Sequence, residues 1–365
     1  MEFTIVNIKE LNDVLKSVSR AALGRTTLEA FTLLKIDSNA EKNRVKFTCS
    51  NGELFISAIV DAEVKTGGTI LVPAKTITAA ISKFNCEITF KVDDEQLYLK
   101  SGKSKMKFGI IDTIFPKVLA MKSKYEFEVD KNALTEAISK TIFAASQDLT
   151  KGNISGILFE FDKEFVTTVG VDGFRMAVCK MPTKTDKPVS IIIPARFLAE
   201  VVNVATKVKD EIVSFKTDGT TARFKFENMS ITVRLLDGEF IDYKEILPKE
   251  NKTKVTVNKN EFYKAVDRTT LISNDDRHHK VVFDIGNDKI LVDSASQEGS
   301  VSEEVEATVT GRGLKIGFNA KYILEALKRI PEKEITLEFQ EPVKPVYISV
   351  GQMYEQIVLP VRLQD

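Results

Sequence analysis

The sequence predicts an α+β protein in which one domain fold is used three times within 365 residues. The first observation is a strand-then-helix phrase that recurs as Ile70-Leu71-Val72-Pro73-Ala74-Lys75, Ile191-Ile192-Ile193-Pro194-Ala195-Arg196 and Ile316-Gly317-Phe318-Asn319-Ala320-Lys321. Each occurrence is an apolar run, a helix-start residue (Pro or Asn), Ala, then Lys or Arg. The second is the spacing: 121 residues from Pro73 to Pro194 and 125 from Pro194 to Asn319, the length of a whole domain rather than of a solenoid unit. The third is that each copy holds two segments with helical apolar spacing among roughly eight short alternating runs. Two helices with one apolar stripe each must lie on a sheet to bury it, so each copy reads as two helices packed on antiparallel sheets. The expected domains are 1–123, 124–250 and 251–365.

In the first copy a strand over 3–6 leads into a helix over 8–23, with Leu11, Val14, Leu15, Val18 and Ala22 on one face. Strands follow over 31–37, 45–49 and 54–60, with Ser50-Asn51-Gly52 as a turn, then a helix opened by Pro73 and strands over 88–92, 96–100 and 105–110. The second copy repeats the order: a strand at 127–129, a helix over 131–145, strands over 156–161, 165–171 and 176–181, the Pro194 helix, and strands over 223–227 and 231–235. The third begins with a strand over 254–257 and a helix over 260–272; its second helix starts at Asn319, and it ends on strands over 346–350 and 357–361.

Composition sets outer limits. With 43% hydrophobic and 28% charged residues the chain reads as globular, and no apolar run reaches membrane-spanning length. The opening Met1-Glu2-Phe3-Thr4-Ile5-Val6 is not a signal-type apolar leader, and Cys49, Cys86 and Cys179 have no paired spacing, so a reducing, cytosolic compartment is expected. Equal numbers of basic and acidic residues, 52 of each, argue against a uniformly basic DNA-coating protein but not against a segregated basic surface.

Such segregation is visible on the helices. Lys9, Lys16 and Arg20 lie opposite the apolar stripe of the first helix, and Arg196, Asn203 and Lys207 share one face of the Pro194 helix. Lys75 and Ser82, and Lys321 and Lys328, repeat the pattern, with almost no compensating acid at those spacings. Any single such face is what a solvated helix shows. Six with one bias point to a common cationic surface that neutralises phosphates, without the aromatics that stack single-stranded bases. A duplex held without sequence preference is the partner this chemistry fits.

A second charge pattern concerns strand edges. Lys100, Lys103, Lys105 and Lys107 surround Phe108 in the first copy, while Glu298, Glu303, Glu304 and Glu306 lie in the equivalent part of the third, near Leu271-Ile272. Like charges protect an edge from self-pairing; opposite edges on the first and last domains also favour head-to-tail pairing of two chains.

Five motifs in this order resemble the bacterial sliding clamp family, the beta subunit of DNA polymerase III, over essentially the whole chain. They are Leu23-Gly24-Arg25-Thr26-Thr27-Leu28, Gly170-Val171-Asp172-Gly173-Phe174-Arg175-Met176-Ala177-Val178, Leu236-Asp237-Gly238-Glu239-Phe240-Ile241-Asp242-Tyr243, Gly317-Phe318-Asn319-Ala320-Lys321-Tyr322 and Leu359-Pro360-Val361-Arg362-Leu363. The resemblance implies a homodimeric ring of six clamp-type domains, helices lining the hole around duplex DNA, acting as a processivity factor. It places Arg25, Lys75, Gln147 and Arg196 at DNA, beside the helix-face residues Lys16, Arg20 and Lys207. The edge-charge pattern places the interface of that homodimer at Lys103, Lys105, Phe108, Leu271, Ile272, Glu298, Glu303 and Glu304.

The resemblance further implies a peptide-binding pocket formed by Ile154, Gly173, Phe174, Arg175, Met176, Ile241, Ile246, Asn319, Tyr322, Val358, Leu359, Pro360, Val361 and Arg362. Implied partners are the catalytic subunit of DNA polymerase III, a clamp-loader ATPase complex, and other polymerases and repair proteins carrying clamp-binding peptides. No cofactor or metal is implied. The chain departs from the family pattern at Glu29, Val171, Ile241, Glu245 and the Gln364-Asp365 extension.

Two other readings are weighed against this one. Asp172-Gly173-Phe174-Arg175 as a catalytic loop is countered by Asn51-Gly52-Glu53-Leu54 at the matching place, which reads as a hairpin turn. No phosphate-binding Gly-rich loop or nucleophile elbow occurs, and the paired His278-His279 sit in a charged run, 274–280, read as an exposed loop, so no enzyme is expected. A monomeric three-domain scaffold would share the repeat and the pocket but would not need basic helix faces.

Overall fold

The computed structural model describes residues 1–117, 121, 123–183, 185, 187–248, 250–273 and 279–363. The first repeat runs β1 (Glu2–Ile5), α1 (Ile8–Val18), β2 (Leu33–Asn39), β3 (Arg44–Ser50), β4 (Leu54–Asp61), β5 (Glu63–Thr66), β6 (Gly68–Pro73), α2 (Ala74–Ile81), β7 (Ile88–Asp93), β8 (Gln96–Ser101) and β9 (Ser104–Gly109). The second runs β10 (Tyr125–Asp130), α3 (Lys131–Thr141), β11 (Gly156–Phe161), β12 (Phe165–Val171), β13 (Arg175–Pro182), β14 (Val189–Pro194), α4 (Ala195–Ala205), β15 (Ile212–Thr217), β16 (Thr221–Lys225) and β17 (Met229–Arg234). The third runs β18 (Thr253–Asn258), α5 (Lys259–Ser273), β19 (Lys280–Ile285), β20 (Lys289–Ala295), β21 (Ser300–Thr310), β22 (Leu314–Asn319), α6 (Ala320–Leu327), β23 (Glu334–Phe339), β24 (Val346–Val350) and β25 (Tyr354–Val358).

The two helices thus fall at the expected places in every repeat, and all five stripe residues named for the first helix are buried. That helix is shorter than the expected 8–23: it closes at Val18 and continues as a single 3-10 turn, Ser19–Ala21. Its start is fixed by Asn7, whose side chain accepts from the Glu10 amide at 3.2 Å. Pro73 is the last residue of β6 rather than the first of α2. Its φ of −60° suits an extended residue as well as a helical one, and it needs no N–H partner. Asn319 holds the same place before α6, with Oδ1 accepting from the Lys321 amide at 2.9 Å.

The described residues divide into two compact units, Met1–Thr135 with Arg196–Leu236, and Glu136–Ala195 with Asp237–Asp365. The first contains a five-stranded sheet, β5-β1-β7-β8-β9, and an eight-stranded sheet, β10-β15-β16-β17-β4-β3-β2-β6. The second contains a twelve-stranded sheet, β14-β11-β12-β13-β25-β24-β23-β18-β21-β20-β19-β22. The units cut across the middle repeat because neighbouring repeats are joined by strand pairing: β4 with β17 in the first unit, β13 with β25 in the second.

Those two junctions have one geometry. Each begins at a tight turn, Asn51 to Leu54 or Asp172 to Arg175, closed by a backbone bond of 3.2 or 3.3 Å. Immediately beside the turn Arg234 N donates to Glu53 O at 2.9 Å, and Leu359 N to Phe174 O at 2.8 Å. At the far end Ile59 N donates to Asn228 O and Lys180 N to Met353 O, both at 2.8 Å. The two sets of partners coincide under the repeat, residue for residue.

Several expectations need correction. The last strand ends at Val358, not at 361; beyond it Leu359 N still reaches Phe174 O, and Val361 makes an isolated bridge to Gly317. The segment expected as a strand from 31 opens instead as a 3-10 turn, Glu29–Thr32. In the run read as an exposed loop, residues 274–278 lie outside the described residues, whereas His279 is held, its Nε2 2.7 Å from Lys321 Nζ.

Candidate functional site

Six of the cations expected at DNA belong to the first unit, and all six side chains are exposed: Lys16, Arg20, Arg25, Lys75, Arg196 and Lys207. Their grouping follows from packing. The apolar stripe of α1 is buried, which turns Lys16 and Arg20 outward. Lys207 Nζ donates to Ser17 Oγ at 3.2 Å, and Arg20 is bound to Glu200, so α1 and α4 run side by side with their cationic faces adjacent. Lys75 Nζ lies 2.6 Å from where a Gly24 Cβ would stand, so the missing side chain brings Lys75 up against the segment carrying Arg25. Gln147, in the second unit, is also exposed.

The expectation of almost no compensating acid fails at two positions. Glu200, on α4 itself, takes Arg20 through Nε and Nη2, the latter at 2.9 Å. Glu53, in the turn before β4, takes Arg196 Nη2 at 2.5 Å. Glu200 stands four residues after Arg196 on the same face of α4, where helix spacing already exposes it, although its partner is Arg20; Glu53 lies far in sequence from Arg196, and spacing along one helix cannot reveal it.

The second unit carries an apolar groove. In the turn between β12 and β13, Gly173 has φ of 94°, and Asp172 Oδ1 accepts from the amides of Phe174 and Arg175 at 2.8 and 3.0 Å. Asn51 and Gly52 make the same turn in the first repeat, with φ of 92° at the glycine. That geometry answers the catalytic-loop reading: Asp172 is spent on the turn.

The turn pushes Phe174 outward, 52% exposed. Tyr322 from α6 stacks on its ring at 6.0 Å, and the Lys151 ammonium lies 5.7 Å above it. Arg175 turns inward, bonded to Asp172 at 3.0 Å and to Glu325, with its guanidinium over the rings of Tyr322 and Phe143. The Arg175 side chain is 10% exposed, so it holds the wall of the groove.

The C-terminal segment forms a second side. Val358 lies opposite Arg175 and is buried, as is Met176; these two are floor. Leu359 is exposed, then Val361 N donates to Gly317 O at 2.8 Å and carries the chain across β22. A Cβ on Gly317 would meet Val361 O at 2.9 Å and Leu363 Cδ2 at 2.8 Å, so this crossing requires glycine. Arg362 is exposed.

The third side is the segment after Asp237. Tyr243 is buried and donates its hydroxyl to Glu160 Oε2 at 2.6 Å; burial and that carboxylate push the phenol well above its ordinary pKa. Asn153 Nδ2 holds Glu239 O at 2.8 Å, and between and beyond these anchors Ile241 and Ile246 stay exposed. Ile154 is half-buried beside Asn153. Four large apolar side chains therefore face solvent around this site, an arrangement that marks binding surfaces. Sequence reading missed Lys151, Phe143, Asn153 and Glu325, none of which stands in a motif.

Two strand edges complete the inventory. In the first unit β9 ends its sheet, with Lys103 and Lys105 exposed and Phe108 half-buried. In the second, β21 pairs β18 only through residues 307–310 and β20 through 300–306, so the outer side of 300–306 has no partner strand among the described residues. Glu303 is held by Arg268 at 2.5 Å and Glu304 by Lys289 at 2.8 Å. Leu271 is exposed, and Ile272 lies 3.7 Å from a Cβ position on Gly299.

Comparison with known proteins covers nearly the whole chain. The family models for the DNA polymerase III beta subunit match in order: the N-terminal domain over 1–114, the central domain over 128–242 and the C-terminal domain over 244–362. The beta sliding clamp of Staphylococcus epidermidis is 29% identical over 381 residues, spanning 99% of both chains. The crystal structure of the DNA polymerase sliding clamp from Bacillus subtilis superposes with a TM-score of 0.94 at 26% identity over 100% of both chains. The sliding clamp of Bartonella birtlesii, solved bound to griselimycin, gives 0.94 at 26% identity, again over 100% of both. Three consecutive domain matches on a threefold repeat leave one conclusion: this chain belongs to the DNA polymerase III beta subunit family, the bacterial sliding clamps.

Proposed function

We propose that the chain works as a DNA polymerase processivity factor, a homodimeric ring that encloses duplex DNA and tethers replication proteins. The family is non-catalytic, and the cationic α1–α4 face supplies sequence-blind phosphate contacts rather than chemistry. Topological enclosure removes the need for tight binding. The working compartment is the cytoplasm, and loading falls to a separate ATPase complex. The proposed domains are 1–123, 124–250 and 251–365; the third family match begins at 244, seven residues before the third of these.

The observation that carries the reading is the junction geometry. One chain makes the same strand junction twice and retains one edge of each kind. The turn closed by Ser296 N to Gly299 O at 2.9 Å is the third counterpart of the turns at Asn51 and Asp172. Carrying the register over, Gly109 N of one chain donates to Glu298 O of a second copy, and Glu304 N to Lys103 O. Lys103 then faces Glu304, Lys105 faces Ser302 and Lys107 faces Ser300. On the other side Met106 faces Val301, and Phe108 covers Gly299 beside Ile272. Polar Ser104 takes the place opposite Glu303, which leaves Glu303 with Arg268.

The groove of Phe174, Tyr322, Ile241, Ile246 and Leu359 is the docking site for short, partly apolar peptides of polymerases and repair proteins, with Arg362 exposed at its rim. Negative-stain electron microscopy of the purified protein tests the architecture. Rings of two-chain mass with a hole wide enough for a duplex are expected. Single three-lobed rods at every concentration would overturn it in favour of a monomeric scaffold.

A further inference from the structure

Two of the cations assigned to the duplex are already occupied. Arg20 presents Nε and Nη2 to both oxygens of Glu200, and Arg196 presents Nη2 to Glu53. Lys16, Arg25 and Lys75 form no ion pair among the described residues, so the cationic face contains two kinds of group. In the Arg20 pair the carboxylate takes both arms of the guanidinium fork that would otherwise grip a phosphate; in the Arg196 pair Glu53 takes one Nη2 and neutralises the charge. A neutralised arginine also has few condensed anions of its own to exchange, and a phosphate arriving there must first displace the carboxylate.

We propose that Glu53 and Glu200 are built-in competitors for phosphate: they keep Arg196 and Arg20 from gripping the duplex, and so hold the affinity low enough for sliding. This rests on the duplex-encircling reading. One acid comes from the turn before β4 and the other from the cationic face of α4 itself, four residues after Arg196, and each arrives at an arginine of a different element. The pairs are also accessible to exchange. The Arg20 and Arg196 side chains are each 46% exposed, so a phosphate can approach without unfolding anything.

The test is binding of a labelled duplex, followed by fluorescence anisotropy across a salt series, with native protein, Glu53→Gln, Glu200→Gln and Lys75→Gln. Glu41→Gln serves as control, being an exposed acid outside these pairs. Each freed arginine is expected to steepen the slope of log affinity on log salt by about 0.9, or about eightfold tighter binding near ~0.1 M salt. Glu41→Gln should leave the slope unchanged, and single-molecule diffusion along DNA should slow in Glu53→Gln and Glu200→Gln. An unchanged slope with a lowered melting temperature would make the pairs simple staples and overturn the proposal. Weaker binding would overturn it too, because the glutamates would then be orienting the arginines toward phosphate. If native protein fails to bind at any salt and Lys75→Gln changes nothing, the duplex reading itself falls, a result separate from the other two.

Discussion

Reversing Lys103 and Lys105 to Glu probes the proposed junction between chains. In the transferred register Lys103 stands directly opposite Glu304 of the second copy, and Lys105 is diagonal to it. A directly opposed pair of unlike charges on a sheet is worth roughly 0.2–1 kcal/mol, and like charges cost a comparable amount. Taking the middle of that range, reversal costs about 1 kcal/mol per junction. A closed pair of chains contains two junctions, so the loss is about 2 kcal/mol, about 30-fold in Kd. Lys289 already neutralises Glu304 at 2.8 Å, which argues against the upper end. Sedimentation velocity over a concentration series reads this directly, and the effect should shrink at high salt. Glu304→Lys should restore association, while Glu303→Lys should not, because Glu303 projects from the other face toward Ser104. Equal rescue by both, or by neither, would refute the register. A cysteine pair sharpens the test in a background lacking the exposed Cys86: Met106→Cys with Val301→Cys should cross-link two chains, whereas Met106→Cys with Ser302→Cys points to opposite faces and should not.

Removing residues 362–365 should weaken partner peptides at least tenfold (roughly 1.4 kcal/mol) with the dimer intact, and unchanged affinity in a calorimetric titration would move the docking site elsewhere. Tyr322→Ala removes the ring on which Phe174 stacks and one of two rings over Arg175; a loss of about 1–3 kcal/mol in denaturant unfolding is expected, with weaker peptide binding. In Gly317→Ala the new Cβ would sit 2.9 Å from Val361 O, so the C-terminal crossing must shift. Proteolysis should then trim the tail faster and peptide binding should drop several-fold, while circular dichroism stays constant. Unchanged trimming would mean the crossing is not pinned there.

Much of the architecture was legible because it is periodic. The repeated phrase fixed where α2, α4 and α6 begin, and the α1 stripe from Leu11 to Ala22 is buried as spacing demands. Strand ends were read less well where a residue fits two states. Pro73 suits a helix start but ends β6, with α2 opening at Ala74, and the last strand yields at Leu359 to a crossing that depends on Gly317 more than forty residues earlier. The candidate groove could be read where its residues lie in contiguous motifs, as at 173–176 and 358–362. It was not legible where partners converge from distant segments. Glu325 and Phe143 reach Arg175, Lys151 reaches Phe174, and Glu53 and Glu200 reach their arginines, across separations that no local pattern encodes.

The chemistry of the junctions bears on how a closed ring would admit DNA. In the β4–β17 junction the closely spaced pairs are Leu54 with Val233, Ile56 with Ile231 and Ala58 with Met229, all buried. Burying that many aliphatic groups makes the junction part of a core, with each large side chain worth about 1.5–3 kcal/mol. The equivalent places on the spare edges hold Gly299, Val301 and Glu303 on β21 and its turn, and Phe108, Met106 and Ser104 on β9. Only two of those three pairs are apolar, one of them against glycine, and the flanking face relies on lysine and glutamate exposed to salt. In the proposed ring the same backbone register would therefore be used with two strengths, permanent within a chain and separable between chains. A head-to-tail contact that never opened would exclude circular DNA, and one that did not close on itself would build filaments. Weak edges with a strict register would meet both demands: in the proposed ring the register fixes closure, and the side chains leave the two seams between chains as the places where it can part.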